Sequence, residues 1–91
     1  MRKRERFEII YDILKAIQSK TEAKPTHILY KSNLSTHMLK EYLGELLDKG
    51  FIVENEYEKG KKTYSLTDKG HRYLEDFKVI SSFLESYGLD D

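Results

Sequence analysis

The chain has 91 residues, one proline and no cysteine, enough for one small domain and too short for a second core. Disulfides, thiol chemistry and the common structural zinc sites are therefore excluded, and His27, His37 and His71 lack ligand spacing, so oligomerisation is the expected supplement to a modest core. Sixteen basic side chains balance 16 acidic ones, which argues against a bulk nucleic-acid coat and makes the distribution of charge the informative quantity.

A helix is predicted from about Arg4 to Lys20. Ile10, Ile13, Leu14 and Ile17 fall at i, i+3, i+4 and i+7, the spacing of one buried face. Phe7, Ile9 and Tyr11 widen that face to about twice what the outer helix of a small monomer buries. The surplus predicts a second surface to cover it, such as a partner subunit. TEAK, residues 21–24, is a polar connector. Pro25 suits the first turn of a helix, and PTHILYKSN reads as a short helix with Ile28 and Leu29 inward and Ser32-Asn33 as the turn. Ser35 is placed to cap the next helix. That helix carries an apolar stripe of Leu39, Tyr42, Leu43, Leu46 and Leu47, and Gly50 can end it. Glu41, Glu45 and Asp48 share its exposed side.

After Gly50 the period changes to two. Phe51, Val53, Asn55 and Tyr57 alternate with Ile52, Glu54, Glu56 and Glu58. EKGKKT supplies a turn with Gly60 near its tip, and Thr63 to Leu66 returns as a second strand. Thr67 caps a last helix, helped by Asp68, which runs to about Tyr87 before Gly88. Tyr73, Phe77, Ile80, Leu84 and Tyr87 form an a/d seam flanked by Leu74 and Phe83. A helix of about 20 residues is about 30 Å long, more than so small a domain covers. From Phe77 onward it needs a partner, or else it folds back or frays.

A two-stranded hairpin needs helices to pack on. The predicted fold is α+β, mostly α: a winged helix-turn-helix of three helices and a two-stranded wing over residues 1–67, continued by a C-terminal dimerisation helix over 68–91, all one domain. Residues 1–40 hold nine Lys/Arg against four Asp/Glu, a balance of +5 that residues 41–91 offset. No apolar run approaches the roughly 20 residues of a membrane span. Acidic residues interrupt the apolar part of MRKRERFEIIYDILKAI, unlike a signal peptide. A soluble, cytoplasmic protein with no membrane partner is expected.

The segment GFIVENEYEKGKKTYSLTDKG resembles the hairpin of small prokaryotic winged-helix regulators, where an apolar strand leads through a charged wing to Tyr and then Leu-Thr-Asp-Lys-Gly. Upstream, KPTHILYKSNLSTHMLKEYLGELLDKGFI resembles the archaeal "10a" DNA-binding proteins and related archaeal regulators. The resemblance runs over about residues 5–87. It implies a protein that binds double-stranded DNA as a transcription regulator or small chromatin-organising protein of the nucleoid. It also implies a homodimer joined by an antiparallel coiled coil of the last helix, which is shorter here than in that group. Neither a cofactor, a metal nor a small-molecule ligand is implied.

On that reading Ser35, Thr36 and His37 form the DNA-facing start of the recognition helix, Thr36 and His37 reach base edges, and Lys31 and Lys40 meet phosphates. Lys59, Lys61 and Lys62 form a basic wing tip, and Arg2, Lys3 and Arg4, with Arg6, a basic arm. Each group has a plainer reading: a helix cap, charges that protect a sheet edge, an ordinary chain start. Phe7, Tyr11, Tyr73, Phe77, Ile80, Phe83, Leu84 and Tyr87 are the expected dimer interface. Glu41, Glu45 and Asp48 require the helix to enter a groove by its N-terminal end, because carboxylates laid along DNA would repel it. No nucleophile–base pair or glycine-rich phosphate loop points to an enzyme. The alternative is a winged-helix adaptor that binds proteins and not DNA, favoured by the neutral charge and the acidic helix side.

Overall fold

A computed structural model of the protein describes residues 4–89. The elements run α1 (Arg6–Gln18), α2 (Pro25–Ser32), α3 (Thr36–Asp48), β1 (Ile52–Glu56), β2 (Lys62–Leu66) and α4 (Asp68–Ser86). This is the winged helix-turn-helix order expected from the sequence.

The first helix starts two residues later than its periodicity suggests. The Glu5 N–H donates to Glu8 Oε1 at 2.9 Å, a capping contact that ties down an otherwise unpaired donor. Ile13, Leu14 and Ile17 on its inner face are fully buried, with α2, β2 and α4 packed around α1. Burying one such side chain is worth about 1.5–3 kcal/mol, so this trio is the centre of the core.

Pro25 occupies the first turn of α2, and Asn33 ends the helix in the left-handed region (φ 54°). Asn tolerates that conformation, which makes the sharp turn into α3. Ile28 is fully buried and Leu29 only partly. Ser32, also fully buried, donates its hydroxyl to the Ile28 carbonyl at 2.7 Å and so leaves no unmet polar group. Ser35 caps α3 by accepting from the Met38 N–H at 3.2 Å. Leu39, Leu43 and Leu46 are buried beneath that helix, with Tyr42 and Leu47 packed alongside.

The two strands pair antiparallel from Ile52↔Leu66 to Glu56↔Lys62. Alternation alone did not say which side of β1 faces inward; Ile52 is buried, whereas Val53 is 46% exposed. Glu54 shares the inward side but lies at its rim. It accepts from the Tyr64 hydroxyl at 3.2 Å and sits 3.8 Å from Lys62 Nζ. Burial first, and then this carboxylate, push the Tyr64 hydroxyl above its ordinary pKa. The connector at 21–24 differs from the expectation of a purely polar link. Ala23 is fully buried and exchanges two backbone hydrogen bonds of 2.8 Å with Tyr64, a one-residue third strand. A single bridging residue has no period to reveal it.

At the start of α4, Thr67 accepts from the Gly70 N–H at 3.2 Å and donates to the Gly50 carbonyl at 2.6 Å. Gly70 is buried where a Cβ would strike the Phe51 carbonyl oxygen. Leu74 reaches the core. The wide apolar face of α1 is covered in part by α4 of the same chain: Tyr11 stacks on Phe77 at 4.2 Å, and the Tyr73 hydroxyl donates to the Phe7 carbonyl at 2.7 Å. Past Phe77 the helix leaves the body, and the molecule extends 50 Å against widths of 29 and 21 Å.

Candidate nucleic-acid interface

Ser35, Thr36, His37 and Lys40 are exposed at the start of α3. Ser35 already serves the helix through its cap. His37 Nε2 lies 2.6 Å from Glu41 Oε1, one turn on. The acidic side is less uniform than the sequence suggests. Glu45 is bonded to Lys49 at 2.9 Å and to Arg6. Lys49 first, and then Arg6, hold its carboxyl below the ordinary range. Gly44 interrupts the outer side and leaves a shallow depression among Arg6, Met38, Glu41, Tyr42 and Asp48.

At the wing tip, Lys59 (φ 63°) and Gly60 (φ 73°) both take left-handed conformations. The Lys61 N–H points at the Glu58 carbonyl from 3.4 Å. Two positive φ values in succession are what a type I′ hairpin turn requires. Lys59 and Lys61 are exposed and have no anionic partner among the described residues. Lys62 is shared with Glu54.

The root of the wing is held by residues the sequence did not single out. Glu22 accepts from the Tyr57 hydroxyl and, at 2.7 Å, from the Thr63 hydroxyl. These donors, Tyr57 foremost, hold the Glu22 carboxyl low, and the same bond raises Tyr57. Asn55 donates to Thr63 Oγ1 at 3.3 Å and Ser65 Oγ at 3.0 Å, while Ser65 donates to the Thr21 carbonyl at 3.1 Å. Glu22 lies 35 and 41 residues from its two donors, so no local signal marks it.

The basic arm is not free where it is visible. Arg2 and Lys3 lie outside the described residues. Arg4 binds Asp12 at 2.6 Å and reaches the Asn33 carbonyl at 3.5 Å, across the turn between α2 and α3. Arg6 binds Glu45 and lies 5.7 Å from the centre of the Tyr42 ring. Lys31 is exposed in the last turn of α2.

Of the residues expected at a dimer interface, Tyr11, Tyr73 and Phe77 are half-buried within the chain, whereas Phe7, Ile80, Phe83, Leu84 and Tyr87 are exposed. Phe7, Tyr73, Phe77, Ile80 and Leu84 line one apolar groove. Among the described residues no helix is long and apolar enough to cross a membrane.

The profile of the winged helix-turn-helix family matches residues 3–85. An uncharacterised protein of Methanocaldococcus jannaschii is 40% identical over 78 residues, which is 86% of this chain and 34% of that protein. The chain thus spans about a third of the length of that relative. An uncharacterised HTH-type transcriptional regulator of the same organism is 32% identical over 78 residues, covering 81% of this chain and 72% of its own. Among solved structures, Sso10a-2, a DNA-binding protein from Sulfolobus solfataricus, superposes with a TM-score of 0.76 at 25% identity, covering 93% of this chain and 90% of that one.

Proposed function

The chain belongs to the winged helix-turn-helix family, and from that premise we propose that it is a dimeric double-stranded-DNA-binding protein, a transcription regulator or small chromatin-organising protein of the nucleoid. The observation that carries the reading is the near end-to-end likeness to Sso10a-2, described as a DNA-binding protein. The role is one of binding, with no catalytic step.

In this reading α3 enters the major groove by its first turn. Thr36 and His37 reach base edges, and Lys40 and Lys31 lie against phosphates. Lys59 and Lys61 on the wing grip the flanking backbone, with Lys62 behind them. Entry by the first turn leaves Glu41 and Asp48 tilted away from the phosphates. Ser35 orients that turn through its cap. Arg2 and Lys3 would add phosphate contacts, and Arg4 would join them by exchanging Asp12 for DNA.

Dimerisation would run through residues 68–91. Ile80, Phe83, Leu84 and Tyr87 offer apolar area that water now covers, and Phe7, Tyr11, Tyr73 and Phe77 extend it onto the domain body. A contiguous exposed apolar patch of this kind marks an association surface.

The test is fluorescence anisotropy with a random-sequence duplex of about 30 base pairs at several salt concentrations. Micromolar binding that weakens steeply with salt is expected. Affinity that differs by several kcal/mol between sequences would mark a regulator, and near-uniform affinity an architectural protein. The acidic outer side of α3 favours a second reading, an adaptor that binds proteins; absence of any duplex binding at low salt would select it.

A further inference from the structure

The seam between α1 and α2 carries lysines from both helices. Lys15 and Lys31, one on each helix, line a shallow groove with Ala16, Gln18 and Ser19. Its one carboxylate, Asp12, is occupied by Arg4 at 2.6 Å. Lys15 contacts only the neutral Gln18 oxygen, at 3.2 Å. Ser19 Oγ and His27 Nε2, 3.1 Å apart, close the groove between the two helices. Lys20 follows Ser19 in the chain, and Lys24 holds the N-cap position at the start of α2. Lys15, Lys20, Lys24 and Lys31 are all exposed, and none has an anionic partner among the described residues. From residue 13 to residue 40 the chain holds five lysines and a single acid, Glu22, which accepts from Tyr57 and Thr63 on the wing and keeps its charge.

The position of this line matters as much as its charge. At one end Lys24 follows Ala23, which is hydrogen-bonded to Tyr64 in β2, so the line starts at the root of the wing. At the other end Lys31 stands two residues before Asn33, the turn into α3. Lys24 and Lys31 stand seven residues apart along α2, about 10 Å. Lys24 also sits at the positive end of the α2 dipole, with no acidic residue in the first turn, a disfavoured placement that a bound anion relieves.

We propose that this seam is a further phosphate-binding track for duplex DNA, continuous with the wing root and the α2–α3 turn, in which Lys15, Lys24 and Lys31 neutralise backbone phosphates flanking the segment that α3 enters. The inference rests on the DNA-binding reading and adds Lys15 and Lys24 to the residues which that reading already uses. The charge complementarity of exposed lysines without anionic partners, and their continuity with the wing root and the α2–α3 turn, select the sugar-phosphate backbone as occupant.

The experiment compares three proteins by duplex anisotropy across a salt series: the native chain, the triple variant Lys15→Ala/Lys24→Ala/Lys31→Ala, and the wing variant Lys59→Ala/Lys61→Ala. All five positions are exposed, so circular dichroism melts should be close to native. Each lost phosphate contact lowers the slope of log K against log salt by about 0.9. The triple variant should therefore lose about 2.7 from its slope. A triple variant that loses no more than the roughly 0.9 owed to Lys31 alone, beside a wing variant whose slope falls, overturns the track and leaves the DNA reading standing. No duplex binding by the native chain at low salt overturns both. A native slope with an altered sedimentation coefficient assigns the seam to a second copy's acidic surface, and the proposal fails.

Discussion

Arg6, in the first turn of α1, is bonded to the same Glu45 oxygen in α3 that Lys49 holds from 2.9 Å. The next residue, Phe7, accepts the Tyr73 hydroxyl through its carbonyl at 2.7 Å. Two adjacent residues of α1 thus join the candidate recognition helix on one side to α4 on the other.

Acid should loosen the contacts that Glu45 and Glu22 make. The carboxyls of Glu45 and Glu22 are both held below the ordinary carboxylate range by hydrogen bonds, to Lys49 and Arg6 and to Tyr57 and Thr63. The folded chain therefore takes up these protons less readily than the unfolded one. Their stabilisation is fully present above the unfolded value of about 4.3 and is lost as pH falls through the depressed folded values. Thermal melts between pH 7 and about pH 2.5 should show the native midpoint falling below about pH 4.5. Glu45→Gln and Glu22→Gln should each flatten that fall. Variants that keep the full native slope would show that neither bond persists in solution.

Phe77 and Phe83 should part company when truncated. Phe77 is half-buried, with ring centres 4.2, 6.0 and 6.3 Å from Tyr11, Phe7 and Tyr73. Phe77→Ala should cost about 2–3 kcal/mol, somewhat less than a fully buried phenylalanine, and lower the melting midpoint by about 10 °C or more. Phe83, 62% exposed, touches little of its own domain. Phe83→Ala should barely change the melt at low concentration yet weaken self-association in sedimentation equilibrium. Unchanged association would remove Phe83 from the proposed interface.

Gly44 is expected to be a stability defect. It lies inside α3 with open space where a Cβ would stand. Glycine in a helix interior is about 1 kcal/mol worse than alanine. Gly44→Ala should raise the unfolding free energy by about that amount in urea titrations. If duplex affinity falls while stability rises, the backbone at Gly44 approaches DNA closely; unchanged affinity places the contact at the first turn of α3 alone.

The wing tip offers a similar trade. Lys59 holds a left-handed conformation that lysine seldom adopts, in a turn whose preferred pair is Asn-Gly. Lys59→Asn should stabilise the hairpin, by up to about 1 kcal/mol, and at the same time remove a proposed phosphate contact. Hydrogen exchange at the hairpin amides reads the first effect and the salt slope reads the second. Faster exchange in the variant would mean that the native tip is unstrained.

Much of the scaffold was legible because its signals are local. The Ser35 cap, the leucine stripe of α3, Gly50 and the switch to alternation at Phe51 all lie within a few residues of what they specify. What escaped depends on partners distant in the chain. Arg6 reads as part of a basic arm until Glu45, 39 residues away, is brought beside it. Ala23 reads as linker until Tyr64 bonds to it. The inward side of β1 was hidden because Glu54 and Glu56 share it with Ile52, and only the packing of Tyr64 shows that the acids stand at the rim. The surplus width of α1 was correctly sensed, but α4 of the same chain supplies part of its cover.

Gly70 has a reach well beyond its own contact. Because no side chain fits between it and the Phe51 carbonyl, it sets how closely the first turn of α4 lies on the body. The helix runs 16 residues further to Ser86, a lever arm of about 24 Å. A tilt of about 10° forced by a methyl group at Gly70 would carry its far end about 4 Å sideways. In a dimer joined at that end, the two winged domains would swing with it, and the separation of the half-sites they can address would change. The spacing that such a dimer reads along DNA is then governed by a residue that touches neither the duplex nor the partner.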